Sequence, residues 1–360
     1  MGTPCNRTLA VLGVTQAVIR QARRGRRPLI LRSGQAGPGR SDPVERPQTD
    51  FDVLADHLGG RVSYPGAGTA PVAAVESRLR LSVSQAVRAM RARAPVYVSL
   101  SERVGIPLAL LRPPAPHVMV AHLLTSSQKR LVADRTGFLR RTDVTLVFSR
   151  AQERYLREEM GLGEHQAQFV WDKVDHRFFA PAEPPAEEGY VLSVGREQRD
   201  YQTLIEALRP LRIPSVIVPG STWSHRGLSP LSVPDHIEVR EGLSYRELRD
   251  LYQGARVVAV PVQPDTRYAA GVNGVLEAMS CARPVVASDT PGLSGYVEDG
   301  RNGRQVAAGE PAEMRAAIEE LWEDRHGAER LARASRDTVV GGRTIDHFVD
   351  RVAGLVETLV

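Results

Sequence analysis

A chain of 360 residues, 42% hydrophobic and 25% charged, holds enough apolar material for two packed domains and excludes a disordered or fibrous class. Its longest apolar runs fall short of the ~18–20 residues that cross a bilayer. No signal peptide is read at the N-terminus, and two distant cysteines, Cys5 and Cys281, argue against a disulfide scaffold or a cysteine metal site and fit a reducing cytoplasm.

The net charge of +5 hides a split: residues 1–180 carry 27 basic and 15 acidic side chains, whereas residues 181–360 carry 20 and 27. The basic half fits an anionic acceptor, an anionic membrane surface or a plain solvated face. Only Lys129 and Lys173 among the 47 basic residues are lysines. Aromatic residues make up 5%, which argues against a stacking surface, and no nucleic-acid partner is expected.

Along the first half, short β-branched runs alternate with helical patterns. Strands are predicted at Pro28–Arg32, Val96–Leu100, His117–His122, Val144–Ser149 and Gln168–Trp171. Helices are predicted at Val72–Ala92, Ser126–Leu139 and Arg150–Met160. In the first of these, Val75, Leu79, Val83, Val87 and Met90 recur at three- or four-residue steps, which predicts one helix with these side chains buried. Leu9–Val14 reads equally as a strand or as part of a helix reaching Arg24, and Gln35–Pro47 reads as a loop.

Between Pro181 and Gly189 the sequence PAEPPAEEG cannot build a core and reads as a linker. The alternation then restarts. Strands are predicted at Tyr190–Val194, Ser215–Val218, Ile237–Arg240, Val257–Val262 and Pro284–Ser288, and helices at Tyr201–Leu208, Ser244–Tyr252, Gly274–Cys281 and Pro311–Glu323. Two more follow over Ala328–Thr358, the last with an apolar stripe of Ile345, Phe348, Val352, Leu355 and Leu359. The pattern predicts an α/β protein with two Rossmann-like, doubly wound domains facing each other across a cleft. The expected boundaries are 1–180 for the first domain, 181–340 for the second and 341–360 for a C-terminal helix crossing back to the first.

Three places carry candidate chemistry. Gly271 and Gly274 open the turn before the Glu277 helix, so backbone N–H groups approach a ligand and the helix start favours phosphate. Glu277, one turn in, suits a vicinal diol such as a ribose; Asn273 as an N-cap with an early-turn glutamate is the plain alternative. Arg196 and Arg199 follow Gly195 at a strand's carboxyl end, where α/β sheets bind ligands, and suit a diphosphate; surface pairing with Glu197 and Asp200 is the alternative. His122 ends a strand of the first half, either in a cleft or as a satisfied structural histidine. No cluster has metal-ligand spacing.

The blocks VLEAMSCARPVVASDTPGLSGYVEDGRNGRQVAAGEP, KVDHRFF (173–179), SVGREQRDYQTLIEAL (193–208) and LSYRELRDLYQGARVVAVP (243–261) resemble the retaining, nucleotide-sugar-dependent glycosyltransferases of family 4, group 1, with GT-B architecture. The resemblance covers residues 170–323; over 1–165 it rests on alternation and on His122. It implies transfer of a sugar from a nucleoside-diphosphate sugar to an acceptor hydroxyl with retention, without a metal or other cofactor, residues 1–180 binding the acceptor and 181–340 the nucleotide sugar. Glu277 would hold the ribose, and Arg196 and Arg199 the diphosphate, with Gly195, Gly271, Val272, Asn273 and Gly274. Arg240 to Leu243 would cover the base, and His122 would line the acceptor side. The acceptor is open: a small molecule, a glycoside or an anionic lipid. The expected location is cytoplasmic, with at most peripheral membrane contact. Ala269 stands where the family often has a first glutamate, so sugar recognition departs from pattern, with Asn273 or Asp265 as substitutes. Alternatives of the same fold class are a nucleotide-sugar epimerase and a non-catalytic binding protein.

Overall fold

The structure is a computed structural model that describes residues 27–33, 44–66, 70–182, 189–220 and 232–360. The expectations for residues 9–14 and for most of the loop at 35–47 and the linker at 181–189 fall outside these residues.

The first six strands, β1 (Leu29–Leu31), β2 (Arg61–Ser63), β3 (Tyr97–Ser99), β4 (His117–Ala121), β5 (Val144–Val147) and β6 (Ala167–Phe169), form one parallel sheet in the order β2-β1-β3-β4-β5-β6. Helices α1 (Asp50–Leu58), α2 (Ala70–Leu79), α3 (Val83–Arg91), α4 (Glu102–Leu111), α5 (Ser127–Thr136) and α6 (Arg150–Arg154, continued by a π turn over Tyr155–Glu159) connect them. β4 and β5 are buried along their whole length, as parallel strands covered on both faces must be. Alternation along β1 divides the two faces. Ile30 joins α1 beneath the sheet, while Leu29 and Leu31 pack with Ala86 and Ala89 of α3 and Val104 and Leu108 of α4.

Strands β7 (Val191–Val194), β8 (Ser215–Val218), β9 (Ile237–Val239), β10 (Val257–Val260), β11 (Val285–Asp289) and β12 (Arg304–Ala307) form a second parallel sheet, ordered β12-β11-β10-β7-β8-β9. Its helices are α7 (Tyr201–Leu208), α8 (Tyr245–Gly254), α9 (Val272–Ser280), α10 (Pro311–Glu323) and α11 (Arg325–Val340). Their starts are coded locally: Asp200 accepts from Thr203 N at 3.2 Å to cap α7, and Ser244 with Glu247 forms a capping box on α8. The final helix, α12 (Ile345–Leu359), lies on the first sheet, where Phe348, Val349 and Val352 pack with Phe51 and Leu54 of α1.

The two sheets are tied at several points. Tyr296 donates from its hydroxyl to Phe148 O at 2.8 Å and accepts from Asp172 N at 2.9 Å. Ser149 Oγ donates to Arg267 O at 2.7 Å. Buried Arg343 donates to Tyr296 O at 2.7 Å and stacks 4.3 Å over the Trp171 ring.

Some expectations need correction. The single helix at 72–92 is two helices, because Arg80 takes a left-handed φ of 52° between α2 and α3. Its predicted apolar face is wrong at three positions: Leu79, Val83 and Val87 are exposed, while Gln85, Ala86 and Ala89 are buried and Met90 packs against the core as expected. Gln85 spends its amide on Arg32 O at 3.0 Å and Ser63 O at 2.8 Å, so a polar residue serves the core side. The helix at 126–139 stops at Gly137, whose φ is 61°, and a 3-10 turn over Phe138–Arg141 follows. Helices α1 and α4 and the edge strands β2 and β12 were not foreseen.

Candidate functional site

In the second sheet β7 neighbours both β8 and β10, so the chain's winding reverses between β7 and β10. The loops leaving the carboxyl ends of these two strands open a crevice there, the place where such sheets take ligands. Gly195 leaves β7 with a φ of +116°, and Gly271 precedes α9 with a φ of +95°. Between them lies the guanidinium of Arg199. Its Nε and Nη2 both donate to Val194 O, at 3.0 and 2.9 Å, and Nη1 donates to Glu197 O at 3.2 Å. A Cβ on Gly271 would stand 3.3 Å from Nη1, and one on Gly274 3.3 Å from Nη2. Burial lowers the Arg199 pKa from its ordinary value, and the surrounding Tyr201, Tyr252, Glu277 and Glu197 oppose that effect. Arg196 is exposed on the same loop.

The first turn of α9 has backbone N–H groups, those of Asn273 and Gly274, with no intrahelical acceptor. Val272 is buried there and Asn273 is exposed. Glu277 follows one turn later. Burial pushes its carboxyl up to about 7, with Tyr252 and Arg199 pulling down and Asp172 pushing up. The buried Tyr252 hydroxyl interacts with Glu277 but forms no hydrogen bond of regular geometry. A half-buried carboxyl, an arginine and an unbonded hydroxyl thus converge beside a helix start.

The other foreseen residues are placed differently. Arg240 is forked on Glu238, Nε to Oε1 at 2.7 Å and Nη2 to Oε2 at 2.8 Å, beyond β9 at the sheet edge. Leu243 packs against the core under α8 and α9. Ala269 is wedged between the cores of both sheets. Asp265 is exposed in a left-handed turn. The carboxylate that reaches the neighbouring Tyr268 hydroxyl, at 2.5 Å, is Glu197.

Across the gap, the first sheet presents His122, whose side chain is 52% exposed. Its Nδ1 lies 3.7 Å from Glu102 Oε2, and its backbone N–H donates to the same oxygen at 3.0 Å. Lys129 Nζ donates to Glu102 Oε1 and to Leu123 O, both at 2.7 Å. Burial would raise the Glu102 pKa, but His122 and Lys129 outweigh it and hold the carboxyl well below the usual range. A second cluster sits beside it. Lys173 Nζ is 2.9 Å from Asp50 and 3.4 Å from Asp172, and lies 4.7 and 4.5 Å from the ring centres of Phe148 and Phe348. Burial works against the charged form of Lys173, but the two aspartates hold its pKa raised. Partial burial, helped by Glu277, raises the pKa of Tyr245 on the first turn of α8 from its ordinary value, and Arg32 and Arg46 of the first half oppose them.

Sequence reasoning missed Glu102, Lys129, Asp50, Asp172, Lys173 and Tyr252. One signal was available: the only two lysines of the chain both pair with carboxylates, Lys129 with Glu102 and Lys173 with Asp50 and Asp172. An ammonium is a compact point charge and suits these places better than a planar guanidinium fork. A separate cavity of about 580 Å³ lies among Asp299, Arg301, Arg304, Glu320 and Arg330, away from both clusters. Arg304 pairs there with Asp299 and Glu320, so these charges are spent on one another. Among the described residues, no group of three or more His, Cys, Asp or Glu side chains is placed to hold a metal ion, and no helix is long and apolar enough to cross a membrane.

Residues 188–324 match the family model described as Glycosyl transferases group 1. Over 178 residues the chain is 30% identical to the lipopolysaccharide core biosynthesis glycosyltransferase LpsE of Rhizobium meliloti (strain 1021), covering 45% of this chain and 48% of that protein. Over 117 residues it is 32% identical to a D-inositol 3-phosphate glycosyltransferase of Paenarthrobacter aurescens (strain TC1), covering 31% and 28%. The chain therefore spans at most about half the length of these curated relatives. Among solved structures it resembles sucrose-phosphate synthase (tll1590) from Thermosynechococcus elongatus, with a TM-score of 0.70, 18% identity and 93% and 99% of the two chains covered. Anabaena Alr3699/HepE in complex with UDP-glucose gives a TM-score of 0.67 at 15% identity over 92% and 100%. These likenesses identify the two-sheet architecture as that of the GT-B glycosyltransferases.

Proposed function

We propose that this chain, whose residues 188–324 match the model of glycosyl transferases group 1, transfers a sugar from a nucleoside-diphosphate sugar to an acceptor hydroxyl, with retention at the anomeric carbon and without a metal. The observation that carries this reading is Arg199 held among Gly195, Gly271 and Gly274, with Glu277 one helical turn away. The diphosphate lies over the start of α9, where the N–H groups of Asn273 and Gly274 and the helix dipole receive it. Arg199 supplies fixed charge beneath, and exposed Arg196 closes over it from the rim. Glu277 accepts hydrogen bonds from the ribose hydroxyls. Arg240 and Leu243 border the base.

Charge on the departing diphosphate grows during transfer, so these preformed donors act most strongly in the transition state. His122 lines the opposite wall on the acceptor side, oriented by Glu102. The acceptor hydroxyl attacks from the face the diphosphate leaves and passes its proton to that diphosphate, a route that needs no carboxylate pair. With Ala269 wedged between the cores, no side chain from that position reaches the sugar. Glu197 is the carboxylate nearest in role, and a sugar lacking a hydroxyl or bearing an amine is the preferred donor.

The test is release of nucleoside diphosphate from a panel of nucleotide sugars, with and without candidate acceptors. Acceptor-dependent release that is lost in Arg196→Ala and Glu277→Ala supports the reading. Conversion of the donor to an isomer without acceptor points to an epimerase instead.

A further inference from the structure

We propose that the outer face of the first sheet, built by α2, α3, α4 and α5, is a docking surface for an anionic lipid bilayer. The face begins from the stripe that pattern reading assigned to the core. Leu79 is 58% exposed, and Val83 and Val87 are exposed beside it, because α3 turns Gln85, Ala86 and Ala89 inward instead. Leu111 on α4 and Leu131 and Val132 on α5 are exposed as well. Six of the eleven large exposed hydrophobic side chains among the described residues thus fall between positions 79 and 132.

Helices α3, α4 and α5 form one layer, and α2 is joined to α3 where Ser84 N donates to Glu76 at 2.6 Å. Ala86 and Ala89 of α3 share a core cluster with Val104 and Leu108 of α4, and Ile106 and Ala109 of α4 share the next with Ala133 of α5. The opposite face of the sheet is covered by α1 and α12.

Charge identifies the occupant. Residues 70–141 hold 12 basic and 3 acidic side chains. Two of the three acids are used internally: Glu76 accepts from Ser84 N at 2.6 Å, and Glu102 is buried on Lys129. Among the described residues no carboxylate pairs with Arg78, Arg80, Arg91 or Arg112, and all four are exposed. Arginines interleaved with aliphatic side chains suit headgroup phosphates above an acyl boundary. A single-stranded nucleic acid would call for stacking rings, and a duplex would leave the exposed aliphatic side chains of this face without a partner. The surface stands whether or not the transferase reading does.

The experiment is co-sedimentation of the full chain with vesicles of phosphatidylcholine alone or with phosphatidylglycerol added, at physiological ionic strength. The wild type should pellet with the anionic vesicles and stay soluble with the neutral ones. The Arg78→Glu/Arg80→Glu/Arg91→Glu variant should lose about tenfold or more in partitioning, and Val83→Ser/Val87→Ser should lose part, while both keep wild-type melting temperature and nucleotide binding. A soluble wild type with anionic vesicles overturns the proposal, as does a charge-reversed variant that still pellets. Tighter arginine-dependent binding to a duplex DNA or RNA oligonucleotide than to vesicles overturns it in favour of nucleic acid.

Discussion

A Cβ added to Gly195 would lie 2.8 Å from Cζ of Arg199, closer than side-chain carbons approach. The guanidinium has little freedom to retreat, because Val194 O holds it on one side and Gly271 and Gly274 flank it on the other. The φ of +116° at Gly195 strains any L-residue as well. Gly195→Ala should therefore push Arg199 out of place and weaken nucleotide binding about tenfold or more, which costs ~1.4 kcal/mol. Titration calorimetry with the preferred nucleoside diphosphate checks this. Unchanged affinity would mean that Arg199 is a strut and takes no part in binding.

Glu277 makes a pH-dependent prediction. Its carboxyl titrates near 7 in the folded chain against 4.5 for the ordinary group. Between those values the folded state holds a proton that the unfolded state has released. The stability linked to that proton is present below 4.5 and lost as the pH rises through 7. Glu277→Gln should thus melt with the wild type near pH 4.5 and a few degrees above it at pH 8. Equal melting curves at both pH values would remove the buried-carboxyl assignment.

The same group should govern donor affinity. Ribose hydroxyls donate to the ionised carboxylate, so affinity for a nucleotide sugar should rise as the pH passes through 7 and then level off. The diphosphate of a nucleotide sugar does not titrate in that range, so Glu277 is the source of the change. Glu277→Gln should bind more weakly and lose the pH dependence, and a variant that keeps both would contradict the ribose role.

Lys173 is 14% exposed between Asp50 and Asp172. Removing it leaves two carboxylates in a confined site, so Lys173→Met should destabilise the chain by about 3–5 kcal/mol. Lys173→Arg should recover only part, because a planar fork does not match a point charge held over Phe148 and Phe348. Adding Asp50→Asn to Lys173→Met should restore some stability. Urea unfolding reads all three, and a loss under ~0.5 kcal/mol for Lys173→Met would show the triad to be no stronger than a surface pair.

Glu102 positions His122 through two contacts, one to the backbone and one to the ring. Glu102→Gln should lower kcat about tenfold or more while leaving the KM for the donor near wild type. Isotope-edited spectra of the histidine nitrogens should show the His122 tautomer change in the same variant. A fall in kcat with an unaltered tautomer would assign Glu102 a purely structural role.

Much of the second sheet was legible because its determinants are local. β10 reads as an uninterrupted Val-Val-Ala-Val run, and α7 and α10 begin and end at the predicted residues. The α3 face was misread because volume decided it: a close fit against Leu29 and Leu31 selects Ala86 and Ala89 and leaves valines outside. Edge strands β2 and β12 are short and partly polar, so period-two burial is faint in them. The Gly195–Arg199–Glu277 group was foreseen because turn glycines and a strand end mark it. The Glu102–Lys129 and Lys173–Asp50 pairs were not, because they join residues 27 and 123 positions apart and only the folded sheet brings them together.

The most direct measurement is calorimetric titration of the full chain with UDP, GDP, dTDP and ADP, repeated on Gly195→Ala and Glu277→Gln. One nucleotide should bind the wild type at a single site, and both variants should weaken that binding. A wild type that binds none of the four, or variants that bind as tightly as it does, would contradict a nucleoside-diphosphate site between β7 and α9.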